Sequence, residues 1–472
     1  MEIKFGTDGW RGVIAREFTF ENLSVVAQST MDWMIREGLA DNGLVIGYDR
    51  RFLSPEFARA VAEVAAGNSI KVYFSEAAVP TPAVSWAVRE LNAGAGIVIT
   101  ASHNPPVYNG FKLKENFGGS ARPETTRLIE QIISYNRNTG RLASSVTFED
   151  ALKAGKIEYH DLITGYLRQL GHLVDLEAIR RFSIQAVADP MFGSGSGLLN
   201  RLLAIDEIHT DHNAYFGGCP PEPIGENLSE LCELLSIGRY RVGLALDGDA
   251  DRIGAVDEQG DFFSSHAIFT LLLKHLVERK GLSGSVVKTV SSTRMIDLLS
   301  EKYGLPLHET PIGFKHICEL MLEKKVLIGG EESGGLGIAG HIPERDGVLM
   351  GLLLLETVAA TGKGLRCQLE EIMNDIGHFF YRRIDLAIGA DEKNILMQRL
   401  KSDPPVTIAG RTVVSTNFSD GFKFVFGNGD WLLIRPSGTE PLLRLYSESS
   451  DQLMVETLLQ AARQLSLTGS DV

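Results

Sequence analysis

The sequence predicts an α/β protein of several domains, and three observations carry that reading. Strand-like apolar runs alternate with helical patterns along most of the chain, as in βα units with largely parallel sheets. A strand–loop–helix unit occurs three times, at a spacing of about 100–140 residues that suits repeated domains and is too long for a solenoid. From about Gly377 the alternation gives way to short strands and one closing helix, which reads as a smaller α+β domain.

The first unit opens on Leu44-Val45-Ile46-Gly47-Tyr48-Asp49 and passes at Ser54-Pro55-Glu56 into an Ala/Val-rich helix. A first-turn proline suits a helix start, because the N–H it lacks would have no intrahelical partner there. The second runs from Gln185-Ala186-Val187-Ala188-Asp189 through Gly193-Ser194-Gly195-Ser196-Gly197 into a helix over 198–203. The third runs from Val286-Val287-Lys288-Thr289-Val290 through Ser291-Ser292-Thr293 into a helix near 295–303. The polar segment 137–155 marks a first boundary, and a turn near 257–262 closes a second domain. Strands over 431–435 and 442–447 precede an amphipathic helix over 452–465, with Leu453, Leu458, Leu459 and Ala462 on one face. The expected domains are 1–145, 155–258, 259–375 and 380–472.

With 472 residues, 44% hydrophobic and 22% charged, the chain can fill several cores and is not a disordered protein. Its net charge of −14 argues against nonspecific binding to nucleic acid or to acidic membranes. An anionic substrate would therefore need cations gathered locally. The opening Met1-Glu2-Ile3-Lys4-Phe5-Gly6 lacks the apolar stretch of a secretory signal. The apolar runs 267–273 and 348–355 fall short of the roughly 20 residues of a spanning helix. Cys219, Cys232, Cys318 and Cys367 form no CxxC pair and suit neither a zinc site nor a disulfide framework. A cytoplasmic protein is expected.

Four segments carry chemistry. Thr100-Ala101-Ser102-His103-Asn104-Pro105 follows the strand-like run 95–99, which puts Ser102 at the sheet edge where open α/β folds bind ligands. Ser102 is a candidate nucleophile or phosphoryl carrier; a polar turn or helix cap is the simpler reading of that segment alone. Asp247-Gly248-Asp249-Ala250-Asp251-Arg252 follows another apolar run, and three alternating carboxylates can converge on one hard cation beside an arginine fork. Asp247, Asp249, Asp251 and Glu258 match positions 1, 3, 5 and 12 of a calcium loop, but Arg252 stands where that loop needs glycine. Gly329-Gly330-Glu331-Glu332-Ser333-Gly334-Gly335 lets the backbone approach a ligand, and Glu331 and Ser333 can read hydroxyls. Arg435-Pro436-Ser437-Gly438-Thr439-Glu440-Pro441 offers a cation, two hydroxyls and successive amides, a nest for phosphate.

Together these four segments, in this order and with the opening Phe5-Gly6-Thr7-Asp8-Gly9-Trp10-Arg11-Gly12, resemble the α-D-phosphohexomutase family over essentially the full length. The resemblance implies three similar mixed α/β domains plus a smaller α+β C-terminal domain around a central cleft. It makes Ser102 the phosphoserine, Asp247, Asp249 and Asp251 the magnesium ligands together with the Ser102 phosphate, and Glu331 and Ser333 the sugar readers. Arg435, Ser437, Gly438 and Thr439 match the loop that grips the non-reacting phosphate. Arg11 and Arg252 match arginines near the transferred phosphate, His103 and Lys315 match substrate-binding positions, and Lys112 or His341 is the expected proton carrier. Gly313-Phe314-Lys315 and the stretch 340–347 resemble the phosphoglucomutase branch, Glu332 stands where the glucosamine branch shows Gln, and Gly438-Thr439-Glu440-Pro441 is also common in phosphomannomutases.

The expected reaction exchanges glucose 1-phosphate and glucose 6-phosphate through glucose 1,6-bisphosphate with Mg2+; a phosphomannomutase or dual mutase is the alternative. A metal-dependent sugar phosphatase would use the same serine and carboxylates but release inorganic phosphate. A silent sugar-phosphate sensor would need no phosphoserine. Hexose phosphates are the expected partners, of a monomer or homodimer, with no nucleic acid and no membrane. A basic cleft in an acidic exterior is expected, and a C-terminal domain that moves on few fixed contacts.

Overall fold

A computed structural model describes residues 3–6, 8–437 and 442–468 of the chain. The first sheet comprises β1 (Trp10–Val13), β2 (Leu44–Tyr48), β3 (Val72–Phe74), β4 (Ala95–Ile99), β5 (Tyr108–Glu115) and β6 (Ile157–Tyr159), in the order β1-β5-β4-β2-β3-β6. Strands β4, β2, β3 and β6 run parallel, and β5 is antiparallel to both β4 and β1. Helices α1 (Phe20–Arg36), α2 (Ser54–Gly67), α3 (Thr81–Glu90), α4 (Pro123–Thr139), α5 (Phe148–Lys153) and α6 (Leu162–Leu173) cover it. Side chains alternate across a strand, so β2 and β4 are apolar throughout yet serve two cores. Leu44, Ile46, Ile97 and Ile99 pack with Val26, Val61 and Ile129 from α1, α2 and α4, whereas Val45 and Val98 pack with Val84, Val88 and Leu162. The sheet runs on to Tyr159, past the segment expected as its boundary.

The second sheet holds β7 (Ala186–Asp189), β8 (Asp206–Glu207), β9 (Val242–Leu246), β10 (Ile253–Val256) and β11 (Phe262–Phe263), in the order β11-β10-β9-β7-β8, with helices α7 (Leu176–Phe182), α8 (Leu198–Leu203) and α9 (Ser229–Ser236). The third region contains α10 (Ser265–Glu278), β12 (Ser285–Thr289), α11 (Met295–Lys302), β13 (Leu307–Thr310), α12 (Phe314–Glu323), β14 (Val326–Gly330), β15 (Leu336–Ile338), α13 (Gly347–Thr361) and α14 (Leu365–Ile376). Strands β12 and β13 are parallel, β14 and β15 antiparallel. The last sheet is wholly antiparallel: β16 (Phe380–Ala387), β17 (Thr407–Ile408), β18 (Arg411–Asn417), β19 (Phe422–Phe426), β20 (Trp431–Pro436) and β21 (Leu442–Ser449), in the order β16-β21-β20-β19-β18-β17, with α15 (Ala390–Ser402) and α16 (Gln452–Thr468).

The sheets are thus mixed rather than largely parallel, and the antiparallel strands position the chemistry. Each of the four motif segments links a strand to its antiparallel neighbour: β4 to β5, β9 to β10, β14 to β15, and β20 to β21. In the first three, the reversal at the strand end leaves a short loop tied down at both sides, a rigid mount for a functional group.

The chain packs as two compact units, residues through Ser285 with Gly313–Cys367, and Val286–Ile312 with the chain from Gln368 on. Within the first, α13 is buried on every side, as its continuous apolar sequence requires. Among the described residues no single helix is long and apolar enough to cross a membrane. Within the second, Val290 shares a core with Trp431, Leu433 and Tyr446. Glu309 accepts from Lys423 Nζ at 2.6 Å and Asn417 Nδ2 at 2.7 Å, and Glu448 accepts from the Arg294 N–H at 2.7 Å. The C-terminal sheet is therefore firmly attached to the β12–β13 segment, contrary to the expected sparse contacts. In α16 the buried face is Val455, Leu458, Leu459, Ala462 and Leu465; Leu453, expected among them, is 73% exposed because it lies in the first turn, outside that stripe.

Candidate active site

Ser102 lies just past β4, 1% exposed, with φ +53°. A non-glycine residue in that left-handed region costs about 1–2 kcal/mol, so its surroundings must hold it there. The Ser102 N–H donates to Thr100 Oγ1 at 2.9 Å, and Thr100 Oγ1 donates to Asp49 Oδ2 at 2.5 Å. The hydroxyl donates to Asp247 Oδ2 at 2.7 Å, joining the first motif to the second. His103 Nδ1 stands 3.4 Å from the same serine oxygen. Burial, then the charges of Arg252, Arg11, Lys112 and Arg51, push the His103 imidazolium well below its ordinary range, so the ring is neutral near pH 7.

The carboxylates of Asp247, Asp249 and Asp251 are fully buried, and one oxygen from each lies within 4.8 Å of the others. Asp247 Oδ1 accepts from the backbone N–H groups of Asp251 and Arg252, at 3.0 and 3.1 Å, which curls the loop around its first carboxylate. Gly248 abuts the Ser102 loop so closely that a Cβ would lie 2.6 Å from the Ser102 carbonyl oxygen. Thr81 brackets Asp249, giving its N–H to the carbonyl at 2.9 Å and its hydroxyl to Oδ2 at 2.5 Å. Burial, then the charges of Asp249 and Asp251, push Asp247 well above the usual carboxylate range. Burial also acts upward on Asp249, but the charge and hydrogen bond of Lys112 outweigh it and hold that carboxyl low.

Lys112 projects from β5 and is buried, its Nζ 2.7 Å from Asp249 Oδ2, 2.7 Å from Asp251 Oδ2 and 2.8 Å from Asp8 Oδ2. Burial alone would lower this ammonium; Asp249, Asp251 and Asp8 reverse that and raise it, so Lys112 stays charged. In this geometry Lys112 clamps three carboxylates. The opposite oxygens, Asp249 Oδ1 and Asp251 Oδ1, are buried without a hydrogen-bond partner. Orphaned carboxylate oxygens beside a third carboxylate are the donor set of a hard divalent cation, so these residues fit Mg2+.

Arg345 and Asp8 extend the cluster. Arg345 Nη2 donates to Asp251 Oδ2 at 2.8 Å and to Asp8, and its Nη1 lies 3.6 Å from Glu331 Oε2. Lys114 Nζ donates to Glu344 at 2.6 Å and lies 3.4 Å from Asp8. Around Ser102 in this unit, the carboxylates of Asp8, Asp247, Asp249, Asp251, Glu331 and Glu344 face Arg11, Lys112, Lys114, Arg252 and Arg345. This cluster is thus close to charge-balanced, and a bound cation would tip it toward anions. Arg11 Nη1 donates to Asn104 Oδ1 at 2.5 Å, beside Ser102, and Arg252 lies 3.9 Å from both Asp251 and Glu222.

Glu331 is 6% exposed; its Oε1 accepts the Gly313 N–H at 2.9 Å. Burial raises its carboxyl against the opposing charges of Arg345 and Arg252. Ser333 is half-buried in the same loop, whose Gly334 carbonyl accepts the Ile253 N–H at 3.0 Å and so joins the second and third motifs. Lys315, in the first turn of α12, lines a small cavity with Gly6, Asp8, Ser120 and Thr126. His341 Nε2 is 3.0 Å from Asp346, whose oxygens also take Tyr166 OH, and its ring stacks on Trp86 at 5.8 Å. These contacts give it the role of bracing the N-cap of α13. In the second unit Arg435 Nε donates to Asp420 at 2.9 Å and Ser437 N–H to Leu442 O at 2.9 Å; Gly438 and Thr439 lie outside the described residues.

Asp8, Arg51, Thr81 and Arg345 join the site without having been expected in it. Asp8 and Arg345 stand inside recognisable stretches, and Arg51 follows the strand-end Asp49; three charged residues beside such motifs were the available signal.

Comparison with known proteins identifies the family. The family descriptions "Phosphoglucomutase/phosphomannomutase, alpha/beta/alpha domain I", "domain II" and "domain III" match residues 2–139, 164–260 and 264–376, and the "C-terminal domain" of the same family matches 392–465. A phosphoglucomutase/phosphomannomutase of Thermococcus kodakarensis is 28% identical over 466 residues, 98% of each chain. A protein of Methanothermobacter thermautotrophicus, provisionally named a phosphoglucosamine mutase, is 30% identical over 95% of this chain and 94% of its own. A crystal structure from Thermus thermophilus, provisionally named a phosphomannomutase, is 37% identical with a TM-score of 0.85, covering 98% of this chain and 99% of its own.

Proposed function

From the premise that the chain belongs to the phosphoglucomutase/phosphomannomutase family, we propose that it interconverts glucose 1-phosphate and glucose 6-phosphate through a phosphorylated Ser102. The observation that carries this reading is the Ser102 hydroxyl, 2.7 Å from Asp247 in a buried triad of aspartates, two of which keep an oxygen without a partner. Asp247, Asp249 and Asp251 would hold Mg2+, which when bound supplies positive charge against the charge developing on the transferred phosphoryl group.

In the first half-reaction the Ser102 Oγ–P bond breaks, a bond forms from the sugar hydroxyl oxygen to phosphorus, and the proton lost by the sugar hydroxyl ends on Ser102 Oγ, the hydroxyl that donates to Asp247. The product is glucose 1,6-bisphosphate. After it turns over in the site, its other phosphate transfers to Ser102 Oγ, restoring the phosphoenzyme. Arg11 and Arg252 supply charge beside Ser102; Lys112, kept charged by three carboxylates, holds Asp8, Asp249 and Asp251 in register. Glu331 and Ser333 read the hydroxyls. Arg435, Ser437, Gly438 and Thr439 would grip the phosphate not being transferred, and monomer or homodimer and a cytoplasmic setting remain part of the proposal.

Mannose phosphate is the second reading, supported by the name carried by the Thermus structure; glucosamine phosphate is supported by the name of the Methanothermobacter relative. A coupled assay offering glucose, mannose and glucosamine 1-phosphates with Mg2+ and a bisphosphate activator tests the proposal. The highest kcat/KM is expected for glucose 1-phosphate. A higher value for either other sugar reassigns the substrate, and release of inorganic phosphate without isomerisation would make the protein a phosphatase.

A further inference from the structure

Arg51 is the largest of the fully buried side chains among the described residues, and no step so far has used it. It follows β2 and reaches the loop that carries Ser102. Nη2 donates to the carbonyls of Ser102 at 2.5 Å and Asn104 at 2.6 Å; Nη1 donates to those of Pro105 at 2.9 Å and Tyr108 at 3.1 Å. Nε faces Asp49 Oδ2 at 3.2 Å. The two terminal nitrogens thus make four hydrogen bonds to backbone carbonyls, while Nε is buried without a hydrogen-bond partner, and burial keeps the whole guanidinium from a phosphate.

Asp49 completes the arrangement. Its Oδ1 accepts the Arg51 N–H at 2.9 Å and Ser54 Oγ at 2.8 Å, and its Oδ2 takes Thr100, which in turn receives the Ser102 N–H. The loop is therefore gripped at Ser102 from both sides, through the carbonyl by Arg51 and through the N–H by Thr100. The guanidinium also lies 4.9 Å over the ring of Phe216, which fixes its tilt.

We infer that Arg51 is a positioning residue for phosphoryl transfer, holding Ser102 in its left-handed conformation with Oγ aimed at the aspartate triad, an inference that rests on the phosphoserine reading above. Ser102 must receive and give up the phosphoryl group in every cycle. A loop free to relax to an ordinary conformation when dephosphorylated would have to be rebuilt each time. With Arg51 in place, the unphosphorylated Oγ still points at Asp247. Arg51 thus acts through the backbone, and its contribution should fall on turnover rather than on sugar binding.

The test compares wild type with Arg51→Lys, Thr100→Val, Ser102→Ala and, as a remote destabilised comparator, Glu356→Gln. Each is assayed for hexose 1-phosphate isomerisation well below its unfolding temperature, with hydrogen exchange followed in the peptide spanning 100–108. A lysine cannot span four carbonyls, and Arg51→Lys is expected to lower kcat about 100-fold with KM within about threefold, and to speed exchange in that peptide. Thr100→Val should lower kcat about tenfold in the same pattern, while Glu356→Gln keeps the wild-type kcat. If Arg51→Lys does not fold, Thr100→Val decides. Wild-type kcat in either folded variant, or a loss appearing only as raised KM, would overturn the inference. Turnover retained by Ser102→Ala would instead overturn the phosphoserine reading itself.

Discussion

Gly248 shows how closely the catalytic loops are fitted at the level of single atoms. Its φ is outside the left-handed region, so alanine is allowed by the backbone, yet the added Cβ would meet the Ser102 carbonyl at 2.6 Å and Pro221 Cγ at 3.0 Å. Gly248→Ala is expected to cost only about 1–3 kcal/mol of stability as overpacking. It should nevertheless lower kcat about 10- to 100-fold by displacing Ser102, measured by denaturant unfolding alongside steady-state assay. Asp251→Asn removes the carboxylate charge shared by Lys112 and Arg345 and should lower kcat/KM about 100- to 1,000-fold, with a weakened response in a Mg2+ titration. The clustering of Asp247, Asp249 and Asp251 was legible because their spacing within one loop brings the carboxylates together. Arg345 was not, because its partners Asp251 and Asp8 lie 94 and 337 residues away in sequence and only the fold unites them. His341 stood in a recognisable motif, yet its contacts with Trp86 and Asp346 are ones that no local pattern reveals.

Strands and helices were read well wherever a period was visible. Helix α2 begins at Ser54 with a proline in its first turn, and α8 covers 198–203 after Gly197, as the sequence pattern required. Strand direction was less legible, since a short apolar run buried on both faces looks the same in a parallel strand and in the antiparallel β10. Helix α13 illustrates what packing adds: Glu356 on this buried helix accepts from His275 Nε2 at 2.9 Å, Lys280 Nζ at 2.8 Å and the Asp175 N–H at 2.8 Å, tying α13 to α10 and to the start of α7. Burial pushes the Glu356 carboxyl up, but these donors outweigh it and hold it below its usual value. A carboxyl lowered on folding stabilises fully above its unfolded pKa of about 4.3, and that contribution is lost as pH falls through the folded value. Glu356→Gln should therefore cost about 1–3 kcal/mol at pH 7, and the deficit should shrink in urea unfolding at about pH 3.5.

Across the molecule, the repeat in the sequence pointed to three strand–loop–helix units, and β2 with α2, β7 with α8 and β12 with α11 are those units. The attachment of the last sheet was not foreseen, because the core of Val290, Trp431, Leu433 and Tyr446 joins segments distant in the chain. Trp431 also donates to Glu448 at 3.1 Å and lies 4.9 Å from Lys423 Nζ. Trp431→Ala should cost about 3–5 kcal/mol, and residues 286–312 should lose hydrogen-exchange protection together with 422–449. Loss confined to 422–449 would mean that the C-terminal sheet is independent of β12 and β13. The claim on which the functional reading turns is that Ser102 carries the phosphoryl group. Intact-protein mass spectrometry after incubation with glucose 1,6-bisphosphate and Mg2+ tests it: a gain of one phosphoryl group is expected, mapped to Ser102, absent in Ser102→Ala, and discharged by excess hexose monophosphate. No mass gain, or a phosphoryl group on another residue, would contradict it.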